Sequence, residues 1–420
     1  MVILPFLAML ATAGITSKIT KSWLSPGAFF ACCWSFFLLV PLIFTPEYKT
    51  DQFGLWYVAI FTMACAAGSI VAFRELPERH YDVHGPVYGI DSKILYYSFL
   101  GLNLISLIGL VLLFRHASAT YNFGYYANSW MSIPNLIAID RYSGYINYPF
   151  IIKYSLYCIY PANLIGGLLL GLTSISNRNK ILTTIPLFLA LFLGIIEGAR
   201  TSILLGLVLF FSSWMSAFMV IRQAKTKENS YLKFILGSGF LIVSFTGFFI
   251  LIQWLRQGMD TIIVDLLLDR IRAYFFGYLS AFTQWAGQID QLEITAGLTT
   301  FAGPFNLAGI IERPLGFYGP VNISNGISTN IFTAFRGLIN DFSIAGSICI
   351  AFVLGFILQL IFQNRFHQTL IKTIPISMFY AFTLYSPLIS IFHYNSIFFS
   401  WFVISIPLFM SKNEPVANYR

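Results

Sequence analysis

The sequence predicts an all-α polytopic integral membrane protein, and two observations support this fold class. Of the 420 residues, 57% are hydrophobic and only 10% are charged, which lies outside the composition of soluble globular proteins. The apolar residues also fall in runs of about 20, the length that a helix needs to cross about 30 Å of hydrocarbon. The runs lack the alternation of a membrane barrel, so the spanning elements are predicted to be helices.

We predict about eleven membrane-spanning helices in one membrane domain, residues 1–420. The spans are Val2–Ile15, Gly27–Phe44, Phe53–Phe73, Ile94–Phe114, Ile151–Thr173, Ile181–Ile196, Thr201–Ile221, Phe234–Gln253, Phe342–Phe362, Thr369–Tyr385 and Pro387–Met410. Alternate loops divide the 25 Lys and Arg residues into fifteen and ten, and the larger set marks the cytoplasmic side. The N-terminus is therefore expected outside and the C-terminus inside.

The outer basic residues are mainly arginine. Eight of the ten outer basic residues are Arg, whereas nine of the fifteen inner ones are Lys. Arginine presents a planar fork that binds phosphate or carboxylate oxygens in a bidentate manner, so an anion-binding outer face is predicted. The inner loops contain no nucleotide-binding glycine motif, so the energy for any reaction would arrive with the substrate.

Two outer regions are large enough to hold a site. Residues 115–150 are rich in aromatic and Asn side chains, among them Tyr126, Trp130 and Tyr142, which are suited to stacking on sugar rings. An interfacial aromatic belt is the alternative interpretation of these residues. Residues 254–336 form the larger outer loop, in which Met259–Trp285 has the periodicity of an amphipathic helix on the membrane surface.

Three arginines of the larger loop are candidate substrate-binding residues: Arg270, Arg272 and Arg313. Arg270 and Arg272 point about 200° apart on a helix, so they cannot both serve one site. Arg272 can pair with Asp265 and Asp269 on the polar stripe of the helix. Arg270 is therefore expected to be the freer of the two to meet a ligand.

Five residues at the outer boundary are candidates for catalysis. Glu197 and Arg200 join two spans with almost no loop, and they form either a phosphate grip with its orienting carboxylate or an ion pair that tethers the turn. Arg336 and Asp341 suggest an anion-binding group beside a base, and the alternative is an interfacial anchor beside a helix-start carboxylate. His393 lies inside the last predicted span and is either a catalytic or a structural histidine.

No metal or other cofactor is expected. All five cysteines lie within predicted spans and lack a second ligand at a suitable spacing. His80 and His84 lie in a short polar loop on the inner side, which is interpreted as a solvated loop.

Three stretches resemble the O-antigen and oligosaccharide repeat-unit polymerases (Wzy-type) of bacterial surface-polysaccharide assembly. They are Gly198–Ser202, Tyr274–Phe282, and Thr329–Arg336 followed by Asn340–Gly346. The resemblance implies a glycosyltransferase of the inner (plasma) membrane that joins undecaprenyl-pyrophosphate-linked repeat units on its periplasmic face, without nucleotide sugar or metal. It implies that arginines stabilise the departing pyrophosphate; the matching positions are Arg200, Arg336 and Asp341, together with Arg270 or Arg272.

The expected partners are lipid-linked oligosaccharides, the membrane, and a flippase and a chain-length regulator of the same pathway; no nucleic acid is expected. An O-antigen ligase is the nearest alternative, but its outer loop is expected to carry a base histidine, and residues 256–336 contain no His. A flippase or other transporter should place ionisable groups near the bilayer midplane. A non-catalytic scaffold of the assembly machinery is the remaining alternative.

Overall fold

The computed structural model describes residues 3–75, 88–90, 92–121, 133–143, 148–172, 177–221, 247, 264–289, 292–312, 318–324, 326–363, 370–411 and 413–415. Most of these residues are helical. The helices are α1 (Ile3–Thr20), α2 (Pro26–Phe44), α3 (Gln52–Glu75), α4 (Ser92–Tyr121), α5 (Ile133–Tyr142), α6 (Phe150–Tyr157), α7 (Ile159–Gly171), α8 (Asn177–Leu182), α9 (Ile185–Ile196), α10 (Arg200–Ile221), α11 (Val264–Ala286), α12 (Ala302–Leu307), α13 (Ala334–Gln363), α14 (Thr373–Tyr385) and α15 (Asn395–Met410).

Short strands and single 3₁₀ turns complete the described elements. Strand β1 (Tyr88–Ile90) pairs with β4 (Asn413–Pro415), and β2 (Val321–Ser324) pairs antiparallel with β3 (Ile327–Thr329). The 3₁₀ turns are Leu370–Lys372 and Ile391–His393. The β2–β3 hairpin lies within the predicted larger outer loop.

The prediction of a helical multi-pass membrane protein is confirmed. Among the described residues, six helices are long and apolar enough to cross a membrane, namely α1, α2, α3, α4, α10 and α13. Three shorter apolar helices, Lys180–Ile196, Leu370–Tyr385 and Asn395–Met410, match further predicted spans. The predicted span Phe234–Gln253 lies outside the described residues, apart from Gly247. The count of eleven and the orientation stay predictions.

The predicted span Ile151–Thr173 is divided into two helices. Helix α6 ends at Tyr157, Cys158 forms a turn, and α7 begins at Ile159. Pro161 has no N–H with which to bond the carbonyl of Tyr157, so a continuous helix would lack a bond at this point. The hydrophobicity of the residues in this run does not indicate the interruption.

The chain forms two compact units. The first contains residues 1–89, 272–398 and 413–420, and the second contains residues 90–271 and 399–412. Because the units are defined by contacts within the chain, the single membrane domain predicted above stays a prediction. The candidate site described below lies within the first unit.

Glycines bring the helices of the first unit into backbone contact. A Cβ atom added at Gly68 of α3 would lie 2.0 Å from the carbonyl oxygen of Phe352, and one added at Gly355 of α13 would lie 2.0 Å from that of Cys65. Ser69 Oγ donates a hydrogen bond to the carbonyl of Gly355 at 3.1 Å. Such close approach through small residues is typical of helix packing in membranes, where van der Waals contact replaces hydrophobic drive.

Helices of the second unit also approach each other closely at a glycine. A Cβ atom added at Gly167 of α7 would lie 2.0 Å from the carbonyl oxygen of Phe210 in α10. Asn163, which is fully buried, donates to the carbonyls of Ile159 at 2.9 Å and Pro186 at 3.2 Å. The bond to Pro186 connects α7 to the start of α9, whereas the bond to Ile159 lies within α7.

Helix α11 corresponds to the predicted amphipathic helix, but part of it is enclosed on all sides. Every residue from Gly277 to Thr283 is buried. Tyr278 donates to the carbonyl of Phe37 at 2.5 Å, and a Cβ atom added at Gly54 would lie 2.6 Å from Thr283 Cα. This part of α11 therefore packs as a core helix of the first unit, whereas the sequence predicted a helix lying on the membrane surface.

Helix α13 contains a break near its N-terminal end. Ser343 has φ 64° and ψ 174°, a conformation used almost only by glycine. The Ser343 hydroxyl accepts a hydrogen bond from the N–H of Gly346 at 3.2 Å, which starts the following helical segment. The residues from Ala334 to Phe342 thus form a short helix before the break, and the predicted span Phe342–Phe362 corresponds to the segment after the break.

Candidate functional site

Arg336 lies at the start of α13 among three aromatic rings. Its guanidinium carbon is 4.1 Å from the ring centre of Tyr318, 4.1 Å from that of Phe332 and 4.9 Å from that of Trp285. Each distance is within the range of cation–π attraction. Among the described residues no carboxylate pairs with Arg336, and its buried Nε has no hydrogen-bond partner. Within the described part of the chain, this half-buried cation is therefore contacted by ring faces and not by a carboxylate.

The rings around Arg336 are fixed by packing. Phe332 is fully buried, Tyr318 is nearly so, and their ring centres are 5.2 Å apart. Both belong to an apolar cluster that includes Ile323 of the hairpin. A Cβ atom added at Gly277 would lie 2.9 Å from the Ile323 side chain, so the hairpin rests directly on α11. The rings of Trp285, Tyr318 and Phe332 form an aromatic cage around Arg336, and this cage needs little reorganisation to hold a planar cation.

Phe335 anchors the first turn of α13 to the membrane helices. It is fully buried, and its ring centre lies 4.6 Å from that of Trp34, 4.9 Å from that of Phe61 and 5.7 Å from that of Phe282. Its neighbour Arg336 points away into the cage. Local sequence order therefore places an apolar anchor and a charged group on different sides of one helical turn.

Asp341 is fully buried, and it bonds a turn of the predicted outer loop. Its carboxylate accepts hydrogen bonds from the hydroxyl of Thr295 at 2.5 Å, the N–H of Thr299 at 3.0 Å and the N–H of Thr300 at 2.6 Å. The backbone carbonyl of Asp341 also accepts from the N–H of Ala296 at 3.2 Å. The carboxylate therefore positions residues 295–300, and its role as a base stays a prediction.

His393 lies on the other side of the same turn. It is buried, it ends the 3₁₀ turn Ile391–His393, and its Nδ1 is 3.5 Å from the carbonyl oxygen of Thr299. Close packing supports this contact, because a Cβ atom added at Gly303 would lie 2.8 Å from the carbonyl of Phe392. Two of the predicted catalytic residues, Asp341 and His393, therefore contact residues 295–300, and Arg336 lies in the same helical segment as Asp341.

The hydroxyl groups of this site were not predicted from the sequence. Thr300 and Thr333 are almost fully buried, and their hydroxyl oxygens have no hydrogen-bond partner among the described residues. A buried polar group without a partner is unfavourable and calls for a physical reason. Threonine is common in loops and in membrane helices, so no pattern in the sequence separates these two from the others.

Glu197 and Arg200 belong to the second unit. Glu197 follows α9 and is buried, Arg200 begins α10, and neither charge is without a partner. Gly198 between them has φ 57°, and a Cβ atom there would lie 2.6 Å from the carbonyl of Pro134 in α5. The turn is therefore tight because it packs against α5. The catalytic role of both residues stays a prediction.

The predicted substrate-binding residues have different environments. Arg270 is exposed, whereas Arg272 bonds Glu47 Oε1 at 2.6 Å and the carbonyl of Phe44 at 2.9 Å. Helix α5 and the last turns of α4 occupy part of the aromatic-rich region 115–150. Tyr142 ends α5, but its side chain, like Arg313, Tyr126 and Trp130, lies outside the described residues.

Replacing Arg272 by alanine is expected to destabilise the protein by less than about 1 kcal/mol, because the ion pair is exposed. The Arg272 and Glu47 side chains are 39% and 41% exposed, so water and salt screen their attraction. The check is the unfolding midpoint of the purified protein in a double-mutant cycle with Glu47→Gln. A coupling that is large and insensitive to salt would contradict this expectation.

The site lies between the hairpin, the N-terminal part of α13 and the turn at residues 295–300, and its chemistry is that of a cation among aromatic rings beside buried hydroxyl groups. No family model, curated protein or solved structure matches the chain.

Proposed function

We propose that this protein is a polysaccharide polymerase of the bacterial plasma membrane, with its site on the periplasmic face. It joins oligosaccharide repeat units that are linked to undecaprenyl pyrophosphate, and it uses neither nucleotide sugar nor metal. The observation that carries the proposal is Arg336, a half-buried cation that pairs with no carboxylate in the described part of the chain. A cation in such a setting is suited to meet an anion brought by the substrate.

The aromatic cage favours an oxyanion over other ligands. The ring centres of Tyr318 and Phe332 each lie 4.1 Å from the guanidinium carbon and 5.2 Å from each other, so the two rings contact the cation from one side. The N–H groups lie in the plane of the guanidinium, where they bond phosphate oxygens in a bidentate geometry. Lysine has no plane to stack and no fork, so arginine is required.

The proposed reaction moves one glycosyl group. A hydroxyl oxygen of one repeat unit forms a bond to the anomeric carbon of the lipid-linked chain, and the bond from that carbon to the pyrophosphate oxygen breaks. The bonding electrons leave with the pyrophosphate, whose negative charge Arg336 stabilises. The hydroxyl proton passes to a base, for which Asp341 and His393, in the same unit as Arg336, are the candidates.

The proposal predicts that Arg336→Ala and Arg336→Lys each lower polymerisation at least about 100-fold, the usual cost of removing a group that stabilises charge in the transition state. The measurement is a surface-polysaccharide gel of cells that lack the wild-type gene and express each variant at the wild-type protein level. A band with a single repeat unit should replace the ladder of polymers.

Arg115→Ala is the control, because Arg115 is an exposed arginine at the end of α4 and should leave the ladder intact. A full ladder in the Arg336 variants would refute the proposal. Loss of all repeat-bearing lipid in the gene deletion, without a single-repeat band, would instead indicate a ligase or a flippase.

A further inference from the structure

The segment from residue 294 to residue 311 exposes an apolar surface, although it belongs to the predicted outer loop. It carries no charged side chain, and Glu293 and Glu312 flank it. Ile294 and Ile310 are 63% and 61% exposed. All the exposed residues of the segment are apolar or glycine: Ile294, Ala296, Phe301, Leu307, Ala308, Gly309 and Ile310. Exposed apolar surfaces of this kind mark contacts with a membrane or with another protein.

The polar side chains of the same segment are buried or half-buried. Thr295 and Thr299 share a hydrogen bond of 3.0 Å between their hydroxyl groups. Asn306 donates to the carbonyl of Ile311 at 2.8 Å and accepts from the amide of Asn395 at 2.7 Å. The segment therefore has apolar side chains outside and bonded polar side chains inside, which is the reverse of a loop that is surrounded by water.

The last turn of α12 pairs its backbone groups without the help of water. The N–H of Gly309 donates to the carbonyl of Asn306 at 3.1 Å, and the N–H of Ile310 donates to that of Phe305 at 2.9 Å. These are the two bonds of a Schellman motif, and Gly309 has the left-handed conformation that the motif requires, with φ 72°. Unpaired backbone groups are costly in lipid, so this helix end is suited to an apolar medium.

Contacts of α12 place it beside the connection between two apolar helices. Residues 386–394 join α14 to α15. A Cβ atom added at Gly303 would lie 2.8 Å from the carbonyl oxygen of Phe392, and the ring centre of Phe301 lies 5.5 Å from that of Phe392. The Phe392 ring in turn stacks on Phe382 of α14, with 6.1 Å between ring centres. Because the ends of membrane helices lie at the boundary of the hydrocarbon layer, α12 is held at that boundary.

We infer that the exposed side of residues 294–310 is a lipid-binding surface, which lies where the headgroups of the bilayer meet the acyl chains. Its apolar side chains continue from those of α14, and amphipathic segments bind membranes at this depth. A protein partner is less well matched, because protein interfaces have a polar rim and about ten hydrogen bonds. The segment exposes no polar side chain between its two flanking glutamates.

This lipid contact would hold part of the candidate site at the membrane surface. The turn at residues 295–300 belongs to the same segment, and Asp341 bonds it from the opposite side. The inference goes beyond the proposed function and does not depend on it, since it concerns where the segment lies and not which reaction occurs.

The test uses nitroxide spin labels on the full-length protein in vesicles of phosphatidylethanolamine and phosphatidylglycerol. Each label is attached to a single cysteine in a background in which the five native cysteines are replaced by alanine. Labels at Leu307→Cys and Ile310→Cys should collide more often with oxygen, which concentrates in the bilayer, than with a water-soluble nickel chelate. The ratio of the two collision rates should approach that of a lipid-facing control and exceed that of a water-facing control.

Val353→Cys is the lipid-facing control, because Val353 is 50% exposed on the apolar part of α13. Lys49→Cys is the water-facing control, because Lys49 is a charged and exposed residue. Ratios at residues 307 and 310 that equal the ratio at Lys49 would overturn the inference. Immobilised labels that neither reagent reaches would also overturn it and would indicate a protein partner or a second copy of the chain. If these two variants fail to accumulate, Ile294→Cys decides the question.

Discussion

Replacing Gly68 or Gly355 by alanine is expected to prevent the protein from accumulating in a folded form. The new Cβ atom would lie 2.0 Å from a backbone carbonyl oxygen of the facing helix in either case. No side-chain rotation relieves a clash with backbone, so α3 and α13 would have to separate. The cost is expected to be at least about 3 kcal/mol, at the upper end of the range for overpacked cores.

The measurement is the size-exclusion profile of each variant extracted from membranes, together with its unfolding midpoint. Gly14→Ala and Gly101→Ala are matched controls, because nothing lies within 4 Å of an added Cβ atom at either position. Both controls should resemble the wild-type protein. A monodisperse peak and a wild-type midpoint for Gly68→Ala would show that the two helices do not pack as closely as described.

The second large loss of stability is expected in Asp341→Ala. In Asp341→Ala the N–H groups of Thr299 and Thr300 lose their acceptor, and each buried donor left unpaired costs about 1–3 kcal/mol. Asp341→Asn keeps one acceptor oxygen but turns an NH₂ group toward a donor, so its loss of stability should be intermediate. Unfolding midpoints should therefore fall in the order wild type, Asn variant, Ala variant.

Hydrogen exchange of the segment from residue 295 to residue 300 provides an independent measurement. The segment should lose protection in Asp341→Ala, because the carboxylate is the acceptor for two of its amides. The control is Asp51→Ala, which removes a single exposed bond, 2.8 Å long, to the N–H of Phe53 at the start of α3. That change should cost about 1 kcal/mol. Unchanged protection in Asp341→Ala would leave Asp341 free to serve as a base.

Run length and hydrophobicity located most membrane helices, because a bilayer sets the length of a spanning helix. The same signals could not locate interruptions within a run. The break at Cys158 depends on one missing N–H at Pro161, which hydrophobicity does not record. The enclosure of α11 could not be predicted either, since it depends on contacts of Thr283 with Gly54 and of Gly277 with Ile323, and both partners are distant from α11 in sequence.

The charged members of the candidate site could be found in the sequence, and their neutral partners could not. Charged residues are rare in this chain, so Arg336 and Asp341 stand out at the end of a span. Trp285 and Tyr318 are two of many aromatic residues, and they reach Arg336 only because the hairpin packs on α11. The ion pair of Arg272 also involves a residue that is distant in sequence, because its partner Glu47 follows α2.

The break at Ser343 allows the position of Arg336 along the membrane normal to be independent of the thickness of the bilayer. The segment from Ile344 to Gln363 is about 30 Å long as a helix, so it matches the hydrocarbon layer without the residues that precede the break. A membrane helix accommodates a change in bilayer thickness by tilting. Because the helix is interrupted at Ser343, the spanning segment can tilt while the short helix from Ala334 to Phe342 stays in place. The aromatic residues that contact Arg336 then determine its position.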